Sequence, residues 1–312
     1  MRITFVTAVA LTCVITLVSP VSNASGAPRV RAPAPASVGQ PVATPAGTTG
    51  ALPGPAGAGA ASAPKAVQAR SAYLTDGRTG RTLWARRPHD RRAIGSITKV
   101  MTAVVVLRSG SLDRTITIRP RHLAYAARRN GSTARLRAGD RLTTRELLNA
   151  LLLPSGCDAA AALADTYGPG PSRFVRKMNA TARALGLTRT RYDDPAGLPP
   201  TPGHSTARDQ VKLGRYAMRF SAFRQVVRRK QHMLPADHRH QRYVWHSTNQ
   251  LLGTYPGMIG IKSGYTSAAG YSLLFAARRK GRTLFGIVLD SSRTQRQARF
   301  SDAARVLDWG FR

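Results

Sequence analysis

Tyr271-Ser272-Leu273-Leu274-Phe275-Ala276-Ala277 and Thr283-Leu284-Phe285-Gly286-Ile287-Val288-Leu289 are two apolar runs joined by Arg278-Arg279-Lys280-Gly281-Arg282. Two apolar runs with a basic, glycine-containing link between them read as a hairpin of a central antiparallel sheet. A second hairpin lies far upstream, where Ala72-Tyr73-Leu74 and Thr82-Leu83-Trp84 flank Asp76-Gly77-Arg78-Thr79-Gly80. Folded sequence is expected to begin near Ser71. The intervening segments read as helices: Thr98 to Leu107, free of Gly and Pro; Leu142 to Leu153, capped by Thr143 or Thr144 and ended by Pro154; and Cys157 to Tyr167. A last helix, Thr294 to Trp309, would cover the sheet. Strands at both ends with helices between them predict an α+β fold, a single domain whose central antiparallel sheet is flanked by helices on both faces.

Residues with chemical potential fall at the boundaries of these elements. Ser96-Ile97-Thr98-Lys99 stands at the entry of the first helix. With 21 serines and seven lysines, a chance S-x-x-K match is ordinary, so placement carries the argument. Positions i and i+3 share a helix face, which brings the Lys99 amine to the Ser96 hydroxyl. A neutral amine can activate a hydroxyl as a nucleophile; an arginine, which keeps its proton, cannot. Lys262-Ser263-Gly264 precedes the Tyr271 run and is placed on the edge strand of the sheet. Lys262 and the Ser263 hydroxyl suit a terminal carboxylate, and Gly264 lets a ligand backbone approach. The amide of Tyr265 would complete an oxyanion hole with that of Ser96. Lys262 also adds a second positive charge that favours the neutral form of the Lys99 amine.

Between these motifs sits Ser155-Gly156-Cys157-Asp158. Ser155 is a candidate proton relay to a leaving amine, and Cys157 stands where a carbonyl-binding group is wanted. Taken singly, Ser96 and Ser155 read equally well as helix caps and Lys262 as a surface charge. Three motifs in order, using the scarce lysine twice among 41 arginines, favour catalysis.

The chain resembles the low-molecular-mass penicillin-binding proteins, the D-alanyl-D-alanine carboxypeptidase and transpeptidase family of peptidoglycan metabolism. The resemblance is carried by Ile94 to Lys99, Leu153 to Ala160, Asp194 to Pro199, Ser205 to Asp209 and Gly260 to Thr266. It implies a β-lactamase/transpeptidase-like fold and an acyl-enzyme on Ser96. Catalytic roles fall to Ser96, Lys99 and Ser155, and substrate binding to Cys157, Lys262, Ser263, Gly264 and Tyr265. The implied substrate is a stem peptide ending in D-Ala-D-Ala, β-lactams would trap the same serine, and no cofactor or metal is needed. Cys157 departs from the asparagine of most relatives. A thiol is a weak hydrogen-bonding partner, so carboxypeptidase efficiency is expected to suffer and the thiol to be open to oxidants; some actinobacterial D,D-transpeptidases are similar to this chain in carrying Cys there.

Composition narrows the setting. Residues 1–24 read as a secretory signal, an apolar run from Ile3 to Val18 followed by Ser22-Asn23-Ala24. Residues 25–68 are rich in Ala, Pro and Gly and read as a disordered linker, leaving 69–312 as the catalytic domain. Cys13 lies in the signal, so Cys157 has no disulfide partner in an exported chain. The net charge of +34 is spread along the chain, which reads either as a solvated, arginine-biased surface or as an attraction toward polyanions. For an exported protein those are anionic cell-wall polymers rather than nucleic acid, and the expected location is extracytoplasmic, wall-associated, with no stable membrane anchor. A rival reading of a non-catalytic polyanion binder predicts salt-sensitive binding and no covalent adduct. A β-lactamase-like hydrolase needs a glutamate after the middle motif, whereas Glu146 is the only glutamate and precedes Ser155. His232, His238, His240 and His246 lack zinc-type spacing and are assigned structural or surface roles.

Overall fold

Apolar runs continuous on both faces need cover on both faces, and the computed structural model supplies it. The structure describes residues 63–200 and 203–312, all within one compact unit, Gly59–Arg312. The proposed signal at 1–24 and the linker up to residue 62 lie outside the described residues. In chain order the elements are β1 (Ser71–Asp76), β2 (Thr82–Arg86), a 3-10 turn (Gly95–Thr98), α1 (Lys99–Arg108), β3 (Thr115–Thr117), α2 (Pro120–Arg128), β4 (Arg141–Thr143), α3 (Thr144–Leu152) and α4 (Cys157–Tyr167). There follow α5 (Pro171–Ala184), α6 (Ala207–Ala217), α7 (Ser221–Val227), β5 (Gln231–Leu234), β6 (Tyr243–His246), β7 (Met258–Gly264), β8 (Ser272–Arg279), β9 (Arg282–Leu289) and α8 (Ala298–Gly310).

The two hairpins expected from the sequence join through β1 and β9 into one antiparallel sheet of order β2-β1-β9-β8-β7, so Lys262-Ser263-Gly264 does lie on an edge strand. Ser71 pairs with Leu289 and Asp76 with Leu284, which closes the ends of the folded sequence on each other. One face packs on α8 through Leu74, Leu273, Val288, Phe300 and Leu307. The other packs on the helical layer through Leu274, Ile287, Val104, Leu163 and Leu213.

Three expectations need correction at their edges. Folded sequence begins before Ser71. Val67 is buried, and the amides of Gln68 and Ala69 donate to the buried Asp302 carboxylate at 2.9 and 2.7 Å. The helix expected from Leu142 starts two residues later because Arg141–Thr143 pairs with Thr115–Thr117. The last helix starts at Ala298 rather than Thr294. Thr143 is the cap of α3, in a reciprocal capping box with Glu146.

Candidate active site

The 3-10 turn before α1 decides the geometry of the first motif. Three residues per turn eclipse i and i+3, so Ser96 and Lys99 stand one above the other. Lys99 Nζ donates to Ser96 Oγ at 2.8 Å, with Lys99 fully buried and Ser96 8% exposed. A longer bond, 3.4 Å, runs from Lys99 Nζ to the Ala196 carbonyl. That carbonyl is held by its own loop. The Asp194 carboxylate accepts from the amides of Ala196 and Leu198 at 2.8 and 3.0 Å and from the Tyr125 hydroxyl, and it pairs with Arg129. Thr102 Oγ1 ties the loop to α1 through the Pro195 carbonyl.

Strand β7 brings the second motif against this turn. A Cβ on Gly264 would sit 2.8 Å from the Ile94 carbonyl oxygen, and one on Gly95, at φ +51°, would come within 3.2 Å of the Tyr265 carbonyl. Only glycine at both positions lets turn and strand meet backbone to backbone. Ser96 and Tyr265 are thereby carried on adjoining segments, as a shared oxyanion hole requires. The Tyr265 ring takes no part in that contact; it is 44% exposed and stacks on Tyr271 at 4.1 Å.

Ser263 Oγ shares a hydrogen bond of 2.7 Å with Thr248 Oγ1, and buried Lys262 donates to the Ser263 carbonyl at 2.9 Å. Burial, then the charges of Lys99 and Arg299, hold the Lys262 amine well below the usual lysine range.

The middle motif closes the other wall. Ser155 adopts φ +68°, its carbonyl accepts from Ser132 Oγ at 2.6 Å, and its own hydroxyl is buried with no partner. Ser96, Ser155, Ser263, Gly264 and Tyr265 line one cleft of about 680 Å³. Cys157 does not line it. Its fully buried sulfur lies 3.9 Å from the Ser155 carbonyl and from Ser132 Oγ, behind Gly131. In this arrangement the thiol is set back from the cleft. Asp158 anchors the Ser132 segment by accepting from the amides of Ala134 and Leu136. Burial pushes its carboxyl up against the opposing pull of those amides.

Sequence reasoning missed Arg299. It lines the cleft, donates through Nη1 to the Gly264 carbonyl at 3.1 Å, and lies over the Tyr271 ring at 5.1 Å. Burial pushes its guanidinium down to about 10, so it stays charged at neutral pH. Nothing local marks it out among 41 arginines. Arg129, Ser132 and Thr248 also line the cleft and were equally silent. Glu146 is spent on the α3 capping box, its carboxylate accepting from the Thr143 amide at 2.6 Å, which leaves the β-lactamase reading without its base. His232 and His240 pack near Trp245 and Tyr243.

A family model described as D-alanyl-D-alanine carboxypeptidase matches residues 58–293. A D-alanyl-D-alanine carboxypeptidase of Streptomyces sp. (strain K15) is 40% identical over 278 residues, 85% of this chain and 93% of that protein. The D-alanyl-D-alanine carboxypeptidase DacB2 of Mycobacterium tuberculosis is 36% identical over 250 residues, 78% of this chain and 82% of that protein. Among solved structures, the Streptomyces K15 DD-transpeptidase superposes with a TM-score of 0.74 at 41% identity, covering 78% of this chain and 97% of its own. A D-alanyl-D-alanine carboxypeptidase from Mycobacterium tuberculosis superposes with a TM-score of 0.71 at 33% identity, covering 78% and 90%. With most of its length matched by the family model, by relatives and by solved structures, the chain belongs to the D-alanyl-D-alanine carboxypeptidase family of serine-type enzymes.

Proposed function

We infer that the protein is a serine-type D-alanyl-D-alanine carboxypeptidase or transpeptidase in which Ser96 carries the acyl group. The observation that carries this reading is the 2.8 Å bond between Lys99 Nζ and Ser96 Oγ, buried beside the Lys262-Ser263-Gly264 strand. Lys99 takes the Ser96 proton as Oγ attacks the carbonyl between the two terminal D-alanines. The amides of Ser96 and Tyr265 receive the developing oxyanion. The C–N bond then breaks, and the proton passes from Lys99 through the unpartnered Ser155 hydroxyl to the departing amine. Water or the amine of a second stem peptide resolves the acyl-enzyme, regenerating Ser96. A substrate carboxylate meets Arg299 and the Ser263 hydroxyl in the cleft, and its negative charge favours the charged form of the buried Lys262, which does not itself line the cleft.

Penicillin acylates the same serine, which supplies the test. Intact mass of the wild type after labelled-penicillin treatment is expected to rise by one adduct, and that of Ser96→Ala to stay unchanged; equal labelling of both defeats the reading. The reading includes export through residues 1–24, an extracytoplasmic wall location, and attraction of anionic wall polymers by the +34 charge. No helix among the described residues is long and apolar enough to cross a membrane.

A further inference from the structure

At the end of the sheet opposite Ser96, a second cleft of about 900 Å³ opens among the β1–β2 turn, the β8–β9 turn and the α6–α7 junction. Strand β7 measures the separation: Ile259 lines this cleft and Gly264 the catalytic one, roughly 16 Å apart along an extended strand. The floor is apolar, formed by Met218, Ile259 and Phe285. The walls are Arg78, Arg224, Arg228, Arg278 and Arg282.

Little of this charge is answered from within. Asp76 is the only carboxylate in the lining, and it is committed to Arg282 at 3.6 Å and to the amides of Arg78 and Thr79. Its acidity reflects that role: the Thr79 amide leads the contacts that hold its carboxyl below the usual range. Arg224 is bound to the carbonyls of Met218 and Arg219. Arg78, Arg228 and Arg278 are exposed, and their guanidiniums have no ion pair or side-chain hydrogen bond among the described residues. A smaller cleft of about 440 Å³ shares Gly77, Met218 and Phe285 with the first and adds Lys212, Arg215 and Arg219 without adding an acid. The shared lining joins the two into one groove with eight cations and one carboxylate.

Like charges this close favour a bound anion, and guanidinium forks fit phosphate oxygens two at a time. Cations spaced along a groove with an apolar floor match an anion that repeats along a carbon chain, not a single small ion. The rings available for base stacking are few: Phe285 is buried, and Tyr216 is flanked by Arg219 and Phe220. We propose that this groove binds a linear phosphodiester polymer of the poly(glycerol phosphate) kind, holding the enzyme on anionic wall material with Ser96 free at the far end. The groove's chemistry is independent of the assignment of Ser96, and the two fail separately.

The test is equilibrium binding of poly(glycerol phosphate), with oligothymidylate as the nucleic-acid probe, to three full-length proteins. These are the wild type, the combined Arg78→Gln, Arg228→Gln and Arg278→Gln variant, and a control of equal charge loss on α5, Arg173→Gln, Arg176→Gln and Arg183→Gln. The groove variant is expected to lose about tenfold in affinity at about 50 mM salt and to show a shallower salt dependence, the control to lose less than about twofold. All three are expected to acylate with penicillin at the same rate, which reports that each is folded. Equal losses in the two variants, or no loss in either, overturn the proposal in favour of charge spread over the whole surface. Tighter binding of oligothymidylate than of poly(glycerol phosphate) overturns it in favour of a nucleic-acid site.

Discussion

The catalytic cleft and the arginine groove sit at opposite ends of one sheet and are built in opposite ways. In the first, polar groups are buried and mostly matched one to one: Lys99 to Ser96, Ser263 to Thr248, Asp194 to Tyr125 and Arg129. In the second, guanidiniums of one sign are exposed and largely unanswered. Burial makes the first sensitive to single atoms and indifferent to salt, because low-dielectric pairs are screened weakly. Exposure makes the second sensitive to ionic strength and to the number of charges, and tolerant of where each one sits. The difference suggests a division of labour in a very basic chain: the candidate site holds two of the seven lysines in buried positions, while arginine supplies most of the surface charge.

The sharpest break between the regions is expected from Lys99→Met, which keeps the length of the side chain and removes the amine. Penicillin acylation should fall about a thousandfold or more, with polymer binding changed less than about twofold. Salt should do the reverse. Raising KCl from about 50 to about 300 mM is expected to weaken polymer binding more than tenfold and to change the acylation rate less than about twofold.

A smaller effect tests the buried lysine pair. Lys262 has a folded value well below 10.5, so between that value and 10.5 the unfolded chain binds a proton that the folded chain does not. Stability therefore rises with pH across that window. The urea midpoint of the wild type should increase relative to Lys262→Met between pH 7 and pH 9.5, and a constant difference would contradict the burial argument. The smallest effect concerns Ser155, held at φ +68°. Ser155→Gly relieves that conformation and Ser155→Ala does not, so the glycine variant should be the more stable by about 1 kcal/mol while both turn over peptide slowly.

Much of this was legible in the sequence, for reasons that differ by region. The apolar runs of β8 and β9 announced a hairpin of the central sheet, and the scarcity of lysine made Lys99 and Lys262 stand out. Both motif glycines were visible, although only the coordinates show that Gly95 and Gly264 face each other's segments. What stayed hidden depends on tertiary contact. Helices α2, α5 and α6 went unassigned although their apolar and polar faces are more sharply segregated than those of α1 and α4, whereas α7 and the strands β3 to β6 are short, and Cys157 gave no hint that its sulfur turns behind the wall. Arg299 and the groove arginines were concealed by composition, since one arginine in 41 carries no local mark.

The central claim is that one particular hydroxyl becomes the acyl carrier, and peptide mapping of the penicillin-treated protein reads this directly. Trypsin cleaves after Arg92 and after Lys99, so Ser96 is released on the peptide spanning 93–99. The account predicts the penicilloyl mass on that peptide alone. The same mass on a peptide carrying Ser155 or Ser263, with Ala93–Lys99 unmodified, would contradict it.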